Sequence, residues 1–409
     1  MAFGVAVNGR GTGPGRSIMR EELALFGGEK TACDPFPPWP QFAQKTFNEA
    51  LEPLRTGRVG YWPGGRGREL EKCWAAWVGA RHAVCCSSGT AALHVSLVAL
   101  GITEGEVILP SHTFASTALA VVHAGAEPVF CDAADDGTLD PRLFESLLTP
   151  RTRAIVAVHL FGTVCAMERI VEIARRRALR VIEDCAQCAG GELKGKKAGT
   201  LGDVGCFSFS QGKHVSVGEG GMIVCDDEET AMACRSLCDY GREQRDADTT
   251  APAHVRAGFN YRMTEVQAAI GLSELERIDT WNLPRRRGYA KIYDHAFSQL
   301  TGVKSVPFNS AERQNAYWKY PLQLDLARLA CDGQEVRKAV AAEGIPECGM
   351  PMPEAYEEPA LRKWGRGRCP NAEALRARTV LLGLSPSWEK SHIETCITAV
   401  KKVLRVFRR

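Results

Sequence analysis

The chain has 409 residues, of which 45% are hydrophobic, and this is enough to bury a large core and to form two domains. Its 51 basic and 48 acidic side chains give a formal charge of only +3 and are mixed along the sequence, which disfavours nucleic acid and membranes as partners. No apolar run reaches the roughly 18 residues of a membrane-spanning helix. The first residues do not resemble a secretion signal, so we expect a cytoplasmic protein.

The N-terminal region is irregular. Residues 1–22 are rich in Gly and Arg and show no periodicity, which predicts a mobile arm or an arm over a neighbouring subunit. The proline-rich run at 34–42 is expected to be extended, and a helix is expected over 43–55. A glycine-rich loop at 57–67 and a helix at 68–78 complete this region.

From residue 82 onwards, short apolar runs alternate with helical stretches. Strands are predicted at 82–86, 106–109, 127–131, 154–160 and 180–184, and helices at 91–100, 113–124 and 167–177. Continuous Val, Ile and Ala runs separated by helices are typical of a mostly parallel sheet that is covered on both faces. We therefore predict a large α/β domain over residues 23–281.

This alternation stops near Asn282. A helix begins at Thr264, where Gln267 completes a capping box, and runs through Ile278 out of the first domain. The remaining segments predict a strand at 317–324 and helices at 333–343, 373–382 and 391–406. We predict a smaller α+β domain over residues 282–409.

The 16 cysteines lie mostly in apolar runs, which favours buried small side chains in a reducing compartment. Cys185 and Cys188 form a CxxC motif, but a zinc site would need a second pair at a suitable distance. We therefore expect these two thiols to pack in the core, and we expect no metal site.

The turn Ser88-Gly89-Thr90 stands between a predicted strand and a predicted helix. Backbone N–H groups at a helix N-terminus, together with two hydroxyls, are able to bind a phosphate. The alternative is that the hydroxyl residues only cap the helix. This motif alone does not decide between the two.

Asp184 ends the predicted strand at 180–184 and is the second candidate. A buried carboxylate is costly unless it pairs with a cation or a hydrogen-bond donor, and a protonated ring nitrogen would satisfy it. The alternative is a carboxylate that caps the following turn. Both interpretations stay open at this point.

Lys213 is the third candidate, together with Ser208. If Phe207 and Phe209 face one side of a strand, then Ser208 and Ser210 face the other side and present hydroxyls to a ligand. Apolar runs and glycines surround Lys213, so its amine is expected to be confined. A confined amine has a lowered pKa and is able to form a Schiff base.

A phosphate-binding turn, a buried carboxylate, a hydroxyl and a lysine are together what pyridoxal phosphate requires from a protein. Phe114 is a candidate to cover one face of the cofactor ring. The alternative for Phe114 is an ordinary core aromatic side chain.

The motifs SSGTAALH, ILPSHTFASTALA, VIEDCAQ, CFSFSQGKHVSVGEGG and GFNYRMTEVQAAIGLSELERID resemble the DegT/DnrJ/StrS family of sugar and cyclitol aminotransferases. The similarity runs from about Leu25 to the C-terminus and implies the pyridoxal-phosphate transferase fold of type I, as in aspartate aminotransferase. It assigns cofactor contacts as follows: the phosphate to Gly89, Thr90 and Ser208, ring stacking to Phe114, the ring nitrogen to Asp184, the ring hydroxyl to Gln187, and the Schiff base to Lys213. It also implies that Asn260 reaches the cofactor phosphate of a partner subunit, and hence a homodimer.

The resemblance further implies transamination, because the family members that dehydrate deoxysugars have histidine in place of the lysine. We expect glutamine or glutamate as amino donor and a keto-cyclitol or a nucleotide-linked ketosugar as acceptor. A dehydratase, an aromatising synthase and a regulatory protein that binds the cofactor without turnover are the alternatives. The opening LALFGG, followed by Trp39-Pro40, is similar to the group that acts on scyllo-inosose-type ketocyclitols and to aminohydroxybenzoate synthases.

Two segments depart from the family pattern. They are 164–167, which is often more acidic in the family, and 350–359, where a histidine is common. Both are expected near the acceptor, so these departures concern the identity of the acceptor.

Overall fold

The computed structural model describes residues 21–62, 64–243, 253–304 and 309–409. The arm predicted for residues 1–22 lies outside the described residues except for its last two positions. Within the described ranges, no helix is both long enough and apolar enough to cross a membrane.

Twelve helices and twelve strands are described below by their bounds. The helices are α1 Gln44–Thr56, α2 Arg66–Val78, α3 Gly89–Ala99, α4 Ala115–Ala124, α5 Phe144–Leu147, α6 Met167–Arg176, α7 Glu228–Cys238, α8 Glu265–Arg277, α9 Leu283–Phe297, α10 Gly333–Ala342, α11 Pro370–Arg378 and α12 Lys390–Phe407. The strands are β1 His82–Cys86, β2 Glu106–Pro110, β3 Glu127–Cys131, β4 Thr152–Val158, β5 Arg180–Asp184, β6 Glu192–Leu193, β7 Lys196–Lys197, β8 Val204–Ser208, β9 Gly221–Cys225, β10 Arg313–Gln314, β11 Tyr320–Gln323 and β12 Thr379–Leu382.

A seven-stranded sheet forms the centre of the molecule, in the order β1-β9-β8-β5-β4-β2-β3. Five of its strands run parallel, from β8 to β3, and β9 runs antiparallel to both β1 and β8. The predicted α/β class and the mostly parallel sheet are confirmed. The carboxyl ends of the five parallel strands meet at one edge, which is where open α/β sheets bind their ligands.

Apolar side chains cover both faces of this sheet, because successive side chains along each strand point alternately into two cores. One core packs α2, with Leu70 and Trp74, against residues such as Phe207. The other packs α3 and α4, with Val95 and Val121, against the opposite face. Burial on both faces explains why the strand sequences are apolar throughout. This packing holds the ends of the strands in fixed positions.

The C-terminal part contains an antiparallel pair, β11 with β12, packed against α9, α10 and α12. Leu23, from the N-terminal segment, is fully buried in the same cluster. The prediction of a helix over 373–382 is wrong in its last four residues, because Thr379–Leu382 forms a strand. Pairing with β11 decides this, since Thr-Val-Leu-Leu also fits a buried strand. The domain boundary at 281/282 stays a prediction.

The helix predicted from Thr264 to Ile278 continues further along the chain than the sequence indicates. Thr264 is the N-cap of α8 and forms the predicted capping box, and the helix continues through a π-helical turn at Ile278–Asn282 into α9. Single π turns inside helices occur often at functional sites. This turn places Asn282 beside the segment that carries Lys213.

Candidate active site

A cavity of about 620 Å³ opens at the carboxyl edge of the central sheet. One side, here called the sheet wall, is formed by residues at or beyond strand ends: Ser88, Gly89, Thr90, Phe114, Asp184, Gln187 and Ser208. The facing side, here called the C-terminal wall, comes from connecting segments: Trp318, Lys319, Glu347, Met350 and Met352. Lys213 also lines the cavity. The structure therefore brings together every predicted site residue except Asn260.

The N-terminus of α3 forms the phosphate-binding part of the sheet wall. Ser88 is the N-cap, and its Oγ accepts a hydrogen bond of 3.0 Å from the Ala91 N–H. The capping interpretation is thus correct for Ser88, while the N–H groups of Gly89 and Thr90 have no acceptor within the helix. A Cβ atom at Gly89 would lie 2.7 Å from Ser208 Cβ, so only glycine permits this close approach. The turn leaves room and donors for a phosphate.

Asp184 lies at the end of β5 and is 6% exposed. Its Oδ2 accepts a hydrogen bond of 2.8 Å from the Thr117 hydroxyl, and its Oδ1 accepts one of 3.1 Å from the Ala186 N–H. The carboxylate thus caps the following turn and also lines the cavity, while its pairing with a ring nitrogen stays a prediction. Two donors fix its orientation towards the cavity.

Gln187 and Phe114 complete the sheet wall. Gln187 Oε1 accepts a hydrogen bond of 2.8 Å from the Phe161 N–H, which leaves the amide protons for a group in the cavity. Phe161 has a φ of 56°, an uncommon value for a residue other than glycine. Phe114 is 55% exposed, so it is not a core aromatic side chain, and its ring is available to a ligand.

Lys213 follows β8, where Phe207 and Phe209 are buried in the core and Ser208 and Ser210 line the cavity, as their alternation predicts. Its Nζ lies 4.7 Å from the centroid of the Trp318 ring. Burial lowers the pKa of the Lys213 amine, and the negative charge of Asp184 opposes this shift. The lysine is therefore richer in neutral amine than an exposed lysine would be.

Three consecutive carbonyls of the lysine segment each accept a hydrogen bond from a side chain distant in sequence. Trp318 Nε1 donates to Gly212 O over 2.7 Å, Trp39 Nε1 donates to Lys213 O over 3.0 Å, and Asn282 Nδ2 donates to His214 O over 2.6 Å. We call these three donors the carbonyl clamp. Because the clamp holds the backbone on both sides of the lysine, it fixes the position from which the Lys213 side chain extends.

A buried arginine supports the clamp. Arg286 Nε donates to Asn282 Oδ1 over 2.7 Å, and its Nη1 donates to the carbonyl oxygens of Tyr317 and Trp318 over 3.2 Å each. Arg286 is 3% exposed, and burial lowers its pKa to about 10. It remains charged at neutral pH, so its bonds to Asn282 and Trp318 are charge-assisted.

The sequence did not single out Asn282, Arg286 or Trp318 as part of the site. Each acts through a backbone carbonyl that is far away in the chain, and no local pattern marks such a contact. Only Trp39 belonged to a motif that the sequence indicated, the Trp39-Pro40 pair.

Asn260 is exposed and lies outside the cavity, opposite Asp239 in an isolated β-bridge. Within one chain it therefore reaches none of the other site residues. Its assignment to the site of a partner subunit stays a prediction.

A second cluster of potential ligands, His159, Glu183 and Cys185, is buried beneath the sheet edge. His159 accepts the Cys165 N–H at Nδ1 and bonds to Glu183 through Nε2, over 3.1 and 2.8 Å. Three backbone N–H groups saturate the Glu183 carboxylate. These bonds satisfy the polar atoms of His159 and Glu183 within the protein.

The two segments that depart from the family pattern lie in different places. Val164 and Cys165 are fully buried in the core beneath the sheet. Met350 and Met352, from the second segment, line the cavity. Both segments were expected near the acceptor, and only the second lies at the cavity.

The chain is similar to known aminotransferases. A family model, described as the DegT/DnrJ/EryC1/StrS aminotransferase family, matches residues 41–401. The chain is 41% identical over 280 residues to the GDP-perosamine synthase of Caulobacter vibrioides, which covers 68% of this chain and 74% of that protein. It is 35% identical over 356 residues to the L-glutamine:2-deoxy-scyllo-inosose aminotransferase of Streptomyces kanamyceticus, with 83% and 81% covered. An aminotransferase structure from Psychrobacter cryohalolentis superposes with a TM-score of 0.85 at 32% identity, over 90% of this chain and 98% of that chain.

Proposed function

The chain belongs to the DegT/DnrJ/EryC1/StrS aminotransferase family of pyridoxal-phosphate enzymes, and on that premise we propose that it moves an amino group from glutamine or glutamate to a keto-cyclitol or a nucleotide-linked ketosugar. The observation that carries the proposal is the cavity that joins Lys213 to Asp184 and to the N-terminus of α3. The relatives named above act in the same classes of chemistry, on a GDP-linked sugar in one case and on a cyclitol in the other.

The residues of the cavity fit pyridoxal phosphate. Gly89 and Thr90 offer N–H donors for its phosphate, Asp184 offers a carboxylate for its ring nitrogen, and Lys213 offers the amine for its aldehyde. A side chain at position 89 would collide with Ser208, the third residue assigned to the phosphate, so glycine keeps these two residues close together. When bound, the cofactor supplies an electron sink that stabilises negative charge at the α carbon of the amino donor.

The chain's own groups then have distinct tasks. With the cofactor bound, Lys213 Nζ would take the proton from the α carbon of the donor and deliver it to C4′ of the cofactor, and the same amine would work in reverse on the acceptor. Burial favours the neutral amine, the form that accepts a proton. Asp184, held by Thr117 and Ala186, keeps the ring nitrogen protonated. Phe114 excludes water from one face of the ring.

We further propose a homodimer in which Asn260 completes the site of the neighbouring chain. The surface of α1 supports this proposal, because Phe47, Leu51 and Leu54 are 53%, 41% and 57% exposed and stand at helical spacing on one side. Phe114 is exposed beside the cavity as well, which fits a subunit seated over its mouth.

The proposal is tested with purified holoenzyme and the two half-reactions measured apart. Glutamine or glutamate alone should bleach the near-visible absorbance of the bound cofactor, and a keto acceptor should restore it. If glutamine, glutamate and alanine all leave the absorbance unchanged, transamination is refuted. Lys213 stands where the dehydrating members have histidine, and this favours transamination over dehydration.

A further inference from the structure

We propose that the N-terminal strap, residues 23–39, is a positioning element for Lys213, which connects the backbone of the lysine to the C-terminal helices through Trp39. The inference rests on the proposed function, because it concerns the amine that attaches the cofactor there. Trp39 differs from the other donors of the carbonyl clamp, since it comes from a segment that precedes α1. The course of this segment shows what holds its indole in place.

The first part of the N-terminal strap is fixed by the buried carboxylate of Glu343, which directly follows α10. Its Oε1 accepts the Ala24 N–H over 2.9 Å, and its Oε2 accepts the N–H and the hydroxyl of Thr31 over 3.0 and 2.7 Å. Lys402 of α12 donates to Oε2 as well, over 2.8 Å. A fully buried carboxylate with a cation and three further donors is costly to displace. This part of the strap is therefore a fixed point on the C-terminal helices.

The last part of the N-terminal strap is stiff and is held directly before Trp39. Trp388 Nε1 donates to Pro37 O over 3.1 Å. Ser387 Oγ donates to Pro38 O over 3.1 Å. Proline fixes its own φ and restricts the preceding residue to extended conformations, so this stretch has little freedom. Because the two anchored carbonyls belong to the two residues directly before Trp39, the anchors act on its indole without an intervening flexible linker.

The ring of Trp39 is held on the side of the lysine as well. It stacks on Trp281, with 6.0 Å between the centroids and 27° between the planes, and the Arg286 guanidinium lies 5.5 Å from its centroid. Its Nε1 donates to Lys213 O over 3.0 Å. Arg286 also supports the rest of the carbonyl clamp. A displacement of the strap anchors is therefore passed to the carbonyl of the lysine.

The anchors of the strap follow a strand that reaches the cavity. Ser387 and Trp388 belong to the connection between β12 and α12, and Leu381 of β12 lines the cavity. The Tyr293 hydroxyl donates to Gly383 O over 3.1 Å and fixes the start of this connection. A strap that only stabilises the fold has no effect on Lys213 beyond a general loss of stability. A strap that positions the lysine transmits the loss of a distant anchor to it.

The test compares Trp39→Phe and Trp388→Phe with Tyr320→Phe as the matched control. Each variant keeps an aromatic ring and loses one hydrogen-bond donor. Tyr320 is buried in the same C-terminal cluster as Trp388, but its hydroxyl donates to Asp294 Oδ1 over 2.9 Å, away from the strap. All three variants should lower the melting temperature, because each loses one hydrogen bond.

Cofactor attachment then separates positioning from stability. In Trp39→Phe, the apoprotein should take up pyridoxal phosphate at least about threefold more slowly, in line with the loss of one hydrogen bond. The circular dichroism of the bound cofactor in the near-visible range should fall in the same variant. Trp388→Phe should show both changes at a smaller size, although Trp388 donates to no atom of the lysine segment. Tyr320→Phe should stay within twofold of the parent.

Hydrogen exchange of the apoprotein measures the connection without cofactor or turnover. The Lys213 N–H bonds to Ser210 O over 3.0 Å and the Val217 N–H to Phe209 O over 2.9 Å. Mass spectrometry of peptides that cover residues 209–217 should detect faster exchange in Trp39→Phe and in Trp388→Phe, and unchanged exchange in Tyr320→Phe.

The double variant Trp39→Phe/Trp388→Phe should behave like Trp39→Phe alone, because the anchor acts on the lysine only through the indole. Multiplied losses in the double variant, parent values in Trp388→Phe, or equal changes in Tyr320→Phe would overturn the inference. If the variants show the expected shifts but no amino donor bleaches the parent holoenzyme, the proposed function alone is refuted.

Discussion

The two walls of the cavity are built in different ways. Residues of the sheet wall follow strands of one mostly parallel sheet, and their polar groups have partners nearby, such as Thr117 for Asp184 and Ala91 for Ser88. Residues of the C-terminal wall come from segments that connect helices and strands, around Trp318 and Glu347. In the proposed function, the first wall supplies the chemistry and the second meets the acceptor.

This difference explains how one fold serves several substrates. The sheet wall depends on the packing of a two-faced core and tolerates little change without loss of the whole site. The C-terminal wall depends on connecting segments, which vary more readily than the elements they join. Changes to the sheet wall should therefore affect both half-reactions, and changes to the C-terminal wall should affect the acceptor alone.

Lys213→Ala should give the largest effect, because it removes the amine that, in the proposed function, attaches the cofactor and moves the proton. We expect loss of covalent cofactor and a fall of at least about 10⁴-fold in the rate of both half-reactions. Single-turnover kinetics and the absorbance of the bound cofactor measure this. Lys45→Ala is the matched control, since Lys45 is an exposed lysine paired with Glu276. Transamination retained by Lys213→Ala would contradict its assignment.

Much of the sheet wall could be predicted from the sequence, because its residues are adjacent to apolar runs that are themselves recognisable. The strands at 82–86, 127–131 and 180–184 have the predicted bounds. Their parallel order places Asp184 and Ser88 at one edge without knowledge of any long-range contact.

The C-terminal wall and the clamp could not be predicted in this way. Thr379–Leu382 was assigned to a helix because its pairing with β11 is invisible in the local sequence. Arg286 looks like one of three consecutive arginines in a helix, and only its buried bonds to Asn282 and to two carbonyls distinguish it. Contacts between residues that are distant in sequence decide such positions.

Asn282→Ala should have an intermediate effect, because Asn282 belongs to neither wall and acts through the carbonyl of His214. Loss of this bond frees the lysine segment and admits water, so the pKa of the Lys213 amine should rise towards its ordinary value. Since only the neutral amine attacks the cofactor aldehyde, the rate at which the apoprotein takes up pyridoxal phosphate should shift to higher pH. We expect uptake at neutral pH to slow by about tenfold, in line with one pKa unit.

The control for Asn282→Ala is Asn315→Ala. Asn315 is also buried and donates to Thr163 Oγ1 over 3.1 Å, but its side chain contacts no carbonyl of the lysine segment. Both variants should lower stability, whereas only Asn282→Ala should shift the pH profile of cofactor uptake. Equal profiles in the two variants would show that the clamp has a structural role only.

Thr117→Val should give the smallest effect, and it tests whether the sheet wall acts as a unit. The hydroxyl lies beneath the cofactor site, donates to Asp184 Oδ2 over 2.8 Å and lies 3.0 Å from the Thr113 hydroxyl. Valine keeps the shape and removes one donor, while the Ala186 N–H still holds Oδ1. We expect both half-reactions to slow by about three- to tenfold, corresponding to ~1 kcal/mol.

Single-turnover rates with glutamine and with the keto acceptor measure this effect, and Thr163→Val serves as a buried threonine that does not line the cavity. Because Asp184 contacts the cofactor and neither substrate in the proposed arrangement, the two rates should fall by the same factor. A loss confined to the acceptor half-reaction would show that Asp184 also positions the acceptor. The assignment of the acceptor to the C-terminal wall alone would then be wrong.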